Sequence, residues 1–213
     1  MRQKKLVIFD WDGTIVDSLS VWANAYNTLS REFGFRRFTP GSFGDWLSLD
    51  WNRNFRRLNI PRREWKKSLQ RLRDYYNRAD TKIIPGMREV IKRISDEYDV
   101  AVVTNTHDFL VLRKIRKLNL PIKKVFGPVE GKHKPDPAQL LGVLKKLKLN
   151  PNDVVYVGDM SFDVIAAHRA KIKAIGLATK YSFHRREKII KSAPEYLATS
   201  PRQIIRFVKK ILI

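Results

Sequence analysis

Leu6-Val7-Ile8-Phe9-Asp10-Trp11-Asp12-Gly13-Thr14 is the stretch on which the reading of this chain turns. Its four consecutive apolar residues make a short strand of the fully buried kind. Two carboxylates follow, one residue apart. Side chains alternate faces along a strand, so Asp10 and Asp12 point the same way if the extended geometry continues. Gly13 then permits a sharp turn that a side chain would obstruct. Two carboxylates held together repel, so such a site needs a cation or keeps one carboxyl protonated. Either state suits phosphoryl transfer, in which one carboxylate attacks phosphorus and the other shuttles a proton. The plainer alternative is a strand followed by an acidic turn, and a short motif alone leaves it open.

Working outward, apolar runs alternate with amphipathic stretches. Strands are expected at 5–10, 99–104, 123–127, 153–158, 173–177 and 195–198, with helices near 86–97, 107–118, 136–149, 161–170 and 201–212. Ser200 and Pro201 open the last helix as N-cap and first residue. This alternation predicts an α/β fold: a Rossmann-like parallel sheet core with helices on both faces. Ligands of such sheets bind beyond the carboxyl ends of the strands, where Asp10, Thr104 and Asp159 all fall.

Residues 17–82 interrupt the alternation. Leu19, Trp22, Tyr26, Leu29 and Phe33 recur at helical spacing, as do Trp65, Leu69, Leu72 and Tyr76 after Pro61. No convincing strand lies among them, and a Trp- and Arg-rich segment, 42–58, separates the two helices. The expected organisation is a core of residues 1–16 and 83–213 with an inserted α-helical cap domain, 17–82.

Bulk properties narrow the function. A chain of 213 residues suits one large domain or a domain with an insertion. The absence of cysteine excludes disulfides, thiolate metal sites and thiol catalysis. No apolar run approaches a membrane span of about 18 residues, and the first core strand begins too early for a signal peptide. A cytoplasmic protein without a membrane partner is expected. The formal charge is +22. The segment 17–82 contributes 14 basic and 7 acidic residues, the remainder 29 and 14, so the excess is diffuse. It attracts anionic substrates and makes weak, non-specific nucleic-acid binding an expectation.

Three more motifs follow the first in order. Thr104 ends the run Asp99-Val100-Ala101-Val102-Val103, Lys134 stands in Lys134-Pro135-Asp136-Pro137, and Gly158-Asp159-Met160-Ser161-Phe162-Asp163 follows Val154-Val155-Tyr156-Val157. The ordered set resembles the haloacid dehalogenase superfamily, specifically phosphatases with a helical cap inserted after the first motif, the phosphoglycolate phosphatase and β-phosphoglucomutase-like group.

The resemblance implies a Mg²⁺-dependent phosphatase that hydrolyses a small phosphorylated metabolite through an aspartyl-phosphate. Asp10 is the nucleophile, and Asp12 the general acid and base. Dehalogenases of the superfamily lack an acid at that position. Metal ligands implied by the resemblance are Asp10, the backbone carbonyl of Asp12, and Asp159; oxygen donors of this kind suit Mg²⁺. Asp163 orients water or Lys134, or else caps a helix, and Thr14 supports Asp12 and the turn. The Thr104 hydroxyl and the Asn105 backbone N–H hold phosphoryl oxygens, although Asn105 reads equally well as a helix cap. Lys134 sets a positive charge against phosphate and Asp10. Asp136 and Pro137 read as a helix start. His107, His133, His168 and His184 have no metal-ligand spacing and read as surface or helix-end residues. Trp46, Trp51, Arg53, Arg56 and Arg57 line the substrate mouth or simply pack, and no catalytic role falls to them. Two rival functions are a sugar phosphomutase, whose cap histidine would align with Trp22, and a nucleic-acid-binding protein on the same scaffold.

Overall fold

A computed structural model describes residues 5–212; residues 1–4 and 213 of the expected core lie outside the described residues. The strands are β1 (Leu6–Phe9), β2 (Val16–Asp17), β3 (Lys82–Ile83), β4 (Asp99–Val103), β5 (Lys124–Phe126), β6 (Val154–Gly158), β7 (Lys173–Leu177) and β8 (Tyr196–Ala198). Six of them form one sheet, ordered β5-β4-β1-β6-β7-β8, with every neighbouring pair parallel. The expected core strands are all present, most with ends moved by one residue.

β1 lies at the centre, with Phe9 paired to Val102 on one side and Val157 on the other. Its four residues are wholly buried because both sheet faces are covered. Val7 and Phe9 face an apolar layer built on helices α5 (Met87–Glu97), α6 (Asp108–Lys117) and α10 (Pro201–Ile211). Leu6 and Ile8 face the opposite layer, built on α7 (Ala138–Leu147) and α8 (Ser161–Arg169). Each fully buried aliphatic side chain contributes about 1.5–3 kcal/mol. A short helix, α9 (Arg186–Ile190), was not anticipated in the sequence.

Helices α1 (Leu19–Glu32), α2 (Pro40–Trp46), α3 (Trp51–Arg57) and α4 (Trp65–Arg78) form the insertion. Thr39 and Ser42 start α2 with a reciprocal capping box, and Pro40 occupies its first turn. The Trp- and Arg-rich segment thus forms two short helices. The chain enters and leaves the insertion through β2 and β3, an antiparallel ribbon pairing Val16 with Ile83 and Asp17 with Lys82. The sequence reading found no strand in this segment. An apolar cluster around Trp22, Tyr26, Phe43 and Tyr76 fills the insertion and reaches the core through Leu110, Met160 and Phe183. Contact at this seam is close: a Cβ on Gly44 would lie 2.1 Å from the Phe183 carbonyl oxygen.

Candidate active site

The parallel sheet delivers the four motifs to one end. Asp10 follows β1, Thr104 follows β4 and Asp159 follows β6, while Lys134 arrives on the loop between β5 and α7. Lys134 Nζ donates to Asp10 Oδ1 at 2.6 Å, to Asp163 Oδ1 at 2.6 Å and to the Tyr156 hydroxyl at 2.9 Å. The second oxygen of Asp163 accepts from the Met160 N–H at 2.9 Å. Asp163 therefore orients Lys134 and also holds the start of α8.

Asp159 is completely buried. Its carboxylate accepts from the Thr14 hydroxyl at 2.8 Å and the Phe183 N–H at 2.7 Å. Thr14 was expected to support Asp12; the sharp turn directs its hydroxyl onto Asp159 instead. Gly13 makes that approach possible. It adopts φ +77°, and a Cβ there would lie 2.4 Å from an Asp159 oxygen.

The electrostatics follow from crowding three carboxylates around one ammonium. Burial, against the pull of Lys134 and with a push from Asp163, raises Asp10 to about 7. Burial and then the charges of Asp163 and Asp10 hold Asp159 well above the ordinary carboxyl value. Burial also disfavours charge on Lys134, but Asp10 and Asp163 outweigh it and keep the ammonium protonated. Asp10, Asp159 and Asp163 each offer an oxygen, all within 4.8 Å of one another. Three hard oxygen donors with excess negative charge fit a divalent cation such as Mg²⁺.

Asp12 is held from two directions. The Thr106 hydroxyl, on the core, donates to Oδ2 at 2.6 Å. From the insertion, Trp22 Nε1 at 3.0 Å and the Tyr76 hydroxyl at 2.8 Å both donate to Oδ1. Trp11 Nε1 in turn donates to the Tyr76 oxygen at 2.9 Å. The Trp22 and Tyr76 rings stack at 4.5 Å. A carboxylate has about four acceptor positions; three are filled here, leaving one free on Oδ2.

A cavity of ≈ 50 Å³ lies between core and insertion, with Asp10, Asp12, Thr104 and Lys134 among its lining residues. Thr104 Oγ1 accepts from the Thr106 N–H at 3.0 Å, which leaves its own proton for a ligand. The Asn105 side chain also lines this space, and both its amide atoms are buried without a hydrogen-bond partner. Such orphaned groups are costly unless a ligand completes them. Asn105 does not cap α6, whose N-cap is His107.

Other expectations fare differently. Trp51 lines the cavity, whereas Arg53, Arg56 and Arg57 are exposed, and Arg57 stacks on Trp46 at 4.6 Å. Asp136 accepts from the Ala138 N–H at 2.8 Å, a helix-starting role one residue later than expected. His184, read as a surface or helix-end residue, is buried, and its Nδ1 accepts from the Ser161 N–H at 3.0 Å. The loop after β7 folds it beneath α8, and burial followed by Lys188 lowers its pKa to about 3. The sequence reading missed Thr106 altogether and read Trp22 and Tyr76 as packing residues. A usable signal existed: buried Trp and Tyr normally need partners for their N–H and O–H groups.

A family model described as a haloacid dehalogenase-like hydrolase matches residues 7–177. The chain belongs to this family. Among curated relatives, a protein named "Putative pyrophosphatase PpaX" from Caldanaerobacter subterraneus subsp. tengcongensis is 29% identical, covering 95% of this chain and 94% of its own length. A phosphoglycolate phosphatase of Haemophilus influenzae is 28% identical over 95% of this chain and 97% of its own length. The fold also matches a solved haloacid dehalogenase-like hydrolase from Streptococcus pneumoniae, with TM-score 0.83 and 18% identity over 98% of this chain and all of that one. The protein is a haloacid dehalogenase-like hydrolase with a Rossmann-like core and a helical cap. No helix among the described residues is long and apolar enough to cross a membrane.

Proposed function

We propose that this hydrolase is a Mg²⁺-dependent phosphatase that cleaves small phosphate monoesters through an aspartyl-phosphate on Asp10. The observation that carries the proposal is the cavity between core and insertion shared by Asp10, Asp12 and the unpartnered Asn105 amide. Lys134 fixes Asp10 Oδ1, leaving Oδ2 to attack phosphorus. The ester P–O bond breaks as the free position on Asp12 Oδ2 delivers a proton to the departing alcohol. Asp12, now a carboxylate, removes a proton from water, which attacks the phosphoryl group and releases Asp10 and inorganic phosphate. The Thr104 hydroxyl and the Asn105 donors steady the phosphoryl oxygens, where fixed donors are most effective, and Lys134 adds its charge from behind Asp10.

Asp10 and Asp159, with the Asp12 backbone carbonyl, are the proposed metal ligands. Bound there, the cation would offset repulsion between the anionic nucleophile and the anionic phosphate. Asp163 completes the acidic cluster but is engaged by Lys134 and Met160, so its part is to hold Lys134. Residues 17–82 act as the lid that excludes water. Trp22 cannot replace a mutase histidine as a proton carrier, because its N–H is a donor only. Weak nucleic-acid binding follows from the diffuse basic charge and should fade at moderate salt.

The test is metal-dependent phosphate release from a monoester panel with Asp10→Asn and Asp12→Asn. Asp10→Asn should lose at least about three orders of magnitude in kcat while retaining its circular dichroism spectrum. Asp12→Asn should impair alkyl phosphates far more than p-nitrophenyl phosphate, whose leaving group needs little proton assistance. Asp10→Asn activity above about 1% of wild type would exclude Asp10 as the nucleophile.

A further inference from the structure

The cap side of the cavity carries information about the leaving group. Trp22, Tyr26, Leu47, Leu49 and Trp51 form most of that wall, with Ser48 as its aliphatic-sized polar break. The Trp22 N–H is committed to Asp12, while the Ser48 hydroxyl oxygen accepts from the Asp50 N–H at 3.2 Å and keeps its own proton for a ligand. Met160 and Phe183 extend the apolar surface from the core. Among the described residues, Lys134 is the one cation on the lining, and it is fully engaged by Asp10 and Asp163 on the floor. The many arginines of the insertion do not enter: Arg53, Arg56 and Arg57 face solvent. A chain with net charge +22 thus presents an uncharged wall to whatever leaves from phosphorus.

We infer that the leaving group is an uncharged, predominantly apolar alcohol or phenol. A carboxylate, as in phosphoglycolate, or a second phosphate, as in pyrophosphate, would be partly desolvated against this wall with no cationic side chain of the cap to pair it. This inference rests on the proposed phosphatase reading and narrows its substrate class away from the activities that the names of the curated relatives state.

Isobutyl phosphate and phosphoglycolate make a suitable comparison, because their leaving alcohols have the same number and branching of heavy atoms and differ in charge. The measurement is kcat/KM for both esters with Mg²⁺, in the wild type and in Leu49→Arg. Leu49 is partly exposed, so the substitution is compatible with folding. The expected result is at least a 100-fold preference for isobutyl phosphate, reduced at least 10-fold in Leu49→Arg. Equal use of the two esters, or preference for phosphoglycolate, would overturn the inference.

A binding arm separates this inference from the catalytic proposal. Phenylphosphonate should perturb the fluorescence of Trp22 and Trp51 at concentrations at least 10-fold below those needed for phosphonoacetate, which carries a carboxylate. The reverse order, or no response to either probe, also overturns the inference. Absence of metal-dependent p-nitrophenyl phosphate hydrolysis would instead remove the phosphatase reading, while the fluorescence order still reports the character of the wall.

Discussion

Replacing Lys134 by Met keeps much of the side-chain volume but removes the ammonium from a cluster of acidic groups. Lys134 is 4% exposed, and its Nζ lies 2.6 Å from oxygens of both Asp10 and Asp163. Without it, Asp10, Asp159 and Asp163 share a buried site with no positive side chain among them. Breaking a buried ion pair by removing one partner costs about 3–5 kcal/mol, a large share of a typical net stability of ~5–15 kcal/mol. The carboxylates can relieve that cost by binding protons, so the loss must depend on pH. Asp10 stands at about 7 in the fold against an ordinary 3.8. A raised acid stabilises the fold while protonated, fully below the unfolded value, and loses that contribution as pH rises through the folded value. Removing Lys134 takes away the group opposing the rise. The folded values of Asp10 and its neighbours then climb further, and the destabilising window extends to higher pH.

Urea unfolding with a metal chelator should therefore show a penalty of about 3–5 kcal/mol for Lys134→Met at pH 8. At pH 5, where the cluster takes up protons, the penalty should fall to less than about half of that. Added Mg²⁺ should restore part of the loss at pH 8, since ligand binding to the native state stabilises it. A penalty equal at both pH values, or larger at pH 5, would show that Lys134 contributes packing and not charge compensation.

Tyr76→Phe removes a hydroxyl that donates to Asp12 at 2.8 Å and accepts from Trp11 at 2.9 Å. A hydrogen bond to a charged group is worth about 1.5–3 kcal/mol, so kcat on alkyl phosphates should fall roughly 10- to 150-fold, with a smaller fall on p-nitrophenyl phosphate; equal falls would assign Tyr76 to packing alone. His184 has its pKa lowered from 6.5 to about 3 by burial and then Lys188, so it contributes stability above pH 6.5 that is lost as pH falls toward 3. His184→Asn, which keeps an acceptor for Ser161, should flatten that slope in denaturation curves between pH 7 and 4, and an unchanged slope would place its origin elsewhere.

The core was legible in the sequence because its signals are repetitive. Apolar runs such as Leu6–Phe9 and Val154–Gly158 admit few structures in an alternating chain, and each ended in a polar motif. The ribbon of β2 and β3 was not legible, since strands of two residues leave no periodic pattern. Trp22 and Tyr76 were legible as apolar faces of α1 and α4, but not as donors to Asp12. An indole or phenol contributes mostly apolar area to a helix pattern, and its single polar atom acts in a direction that periodicity does not encode. Thr14 and His184 depended on how loops fold across distant segments: Thr14 meets Asp159, and His184 meets Ser161. Motif spacing carries no such information.

The placement of Asp12 links the insertion to the chemistry without requiring the whole insertion to take part. Asp12 lies on the short connection from β1 to β2, so one side of its loop is fixed by the central sheet and the other by the ribbon. Its two cap donors sit near the ribbon in the chain: Trp22 lies in the first part of α1 after β2, and Tyr76 in the last turn of α4 before β3. Leu47, Ser48 and Leu49, which face the leaving group, lie on a different segment, the turn between α2 and α3. Holding the proton carrier and shaping the leaving-group wall are therefore assigned to separate stretches of the same insertion. A substitution such as Leu49→Arg can change the wall while Thr106, Trp22 and Tyr76 keep their hold on Asp12. That separation is the physical reason for expecting altered substrate preference there without loss of the acid–base step.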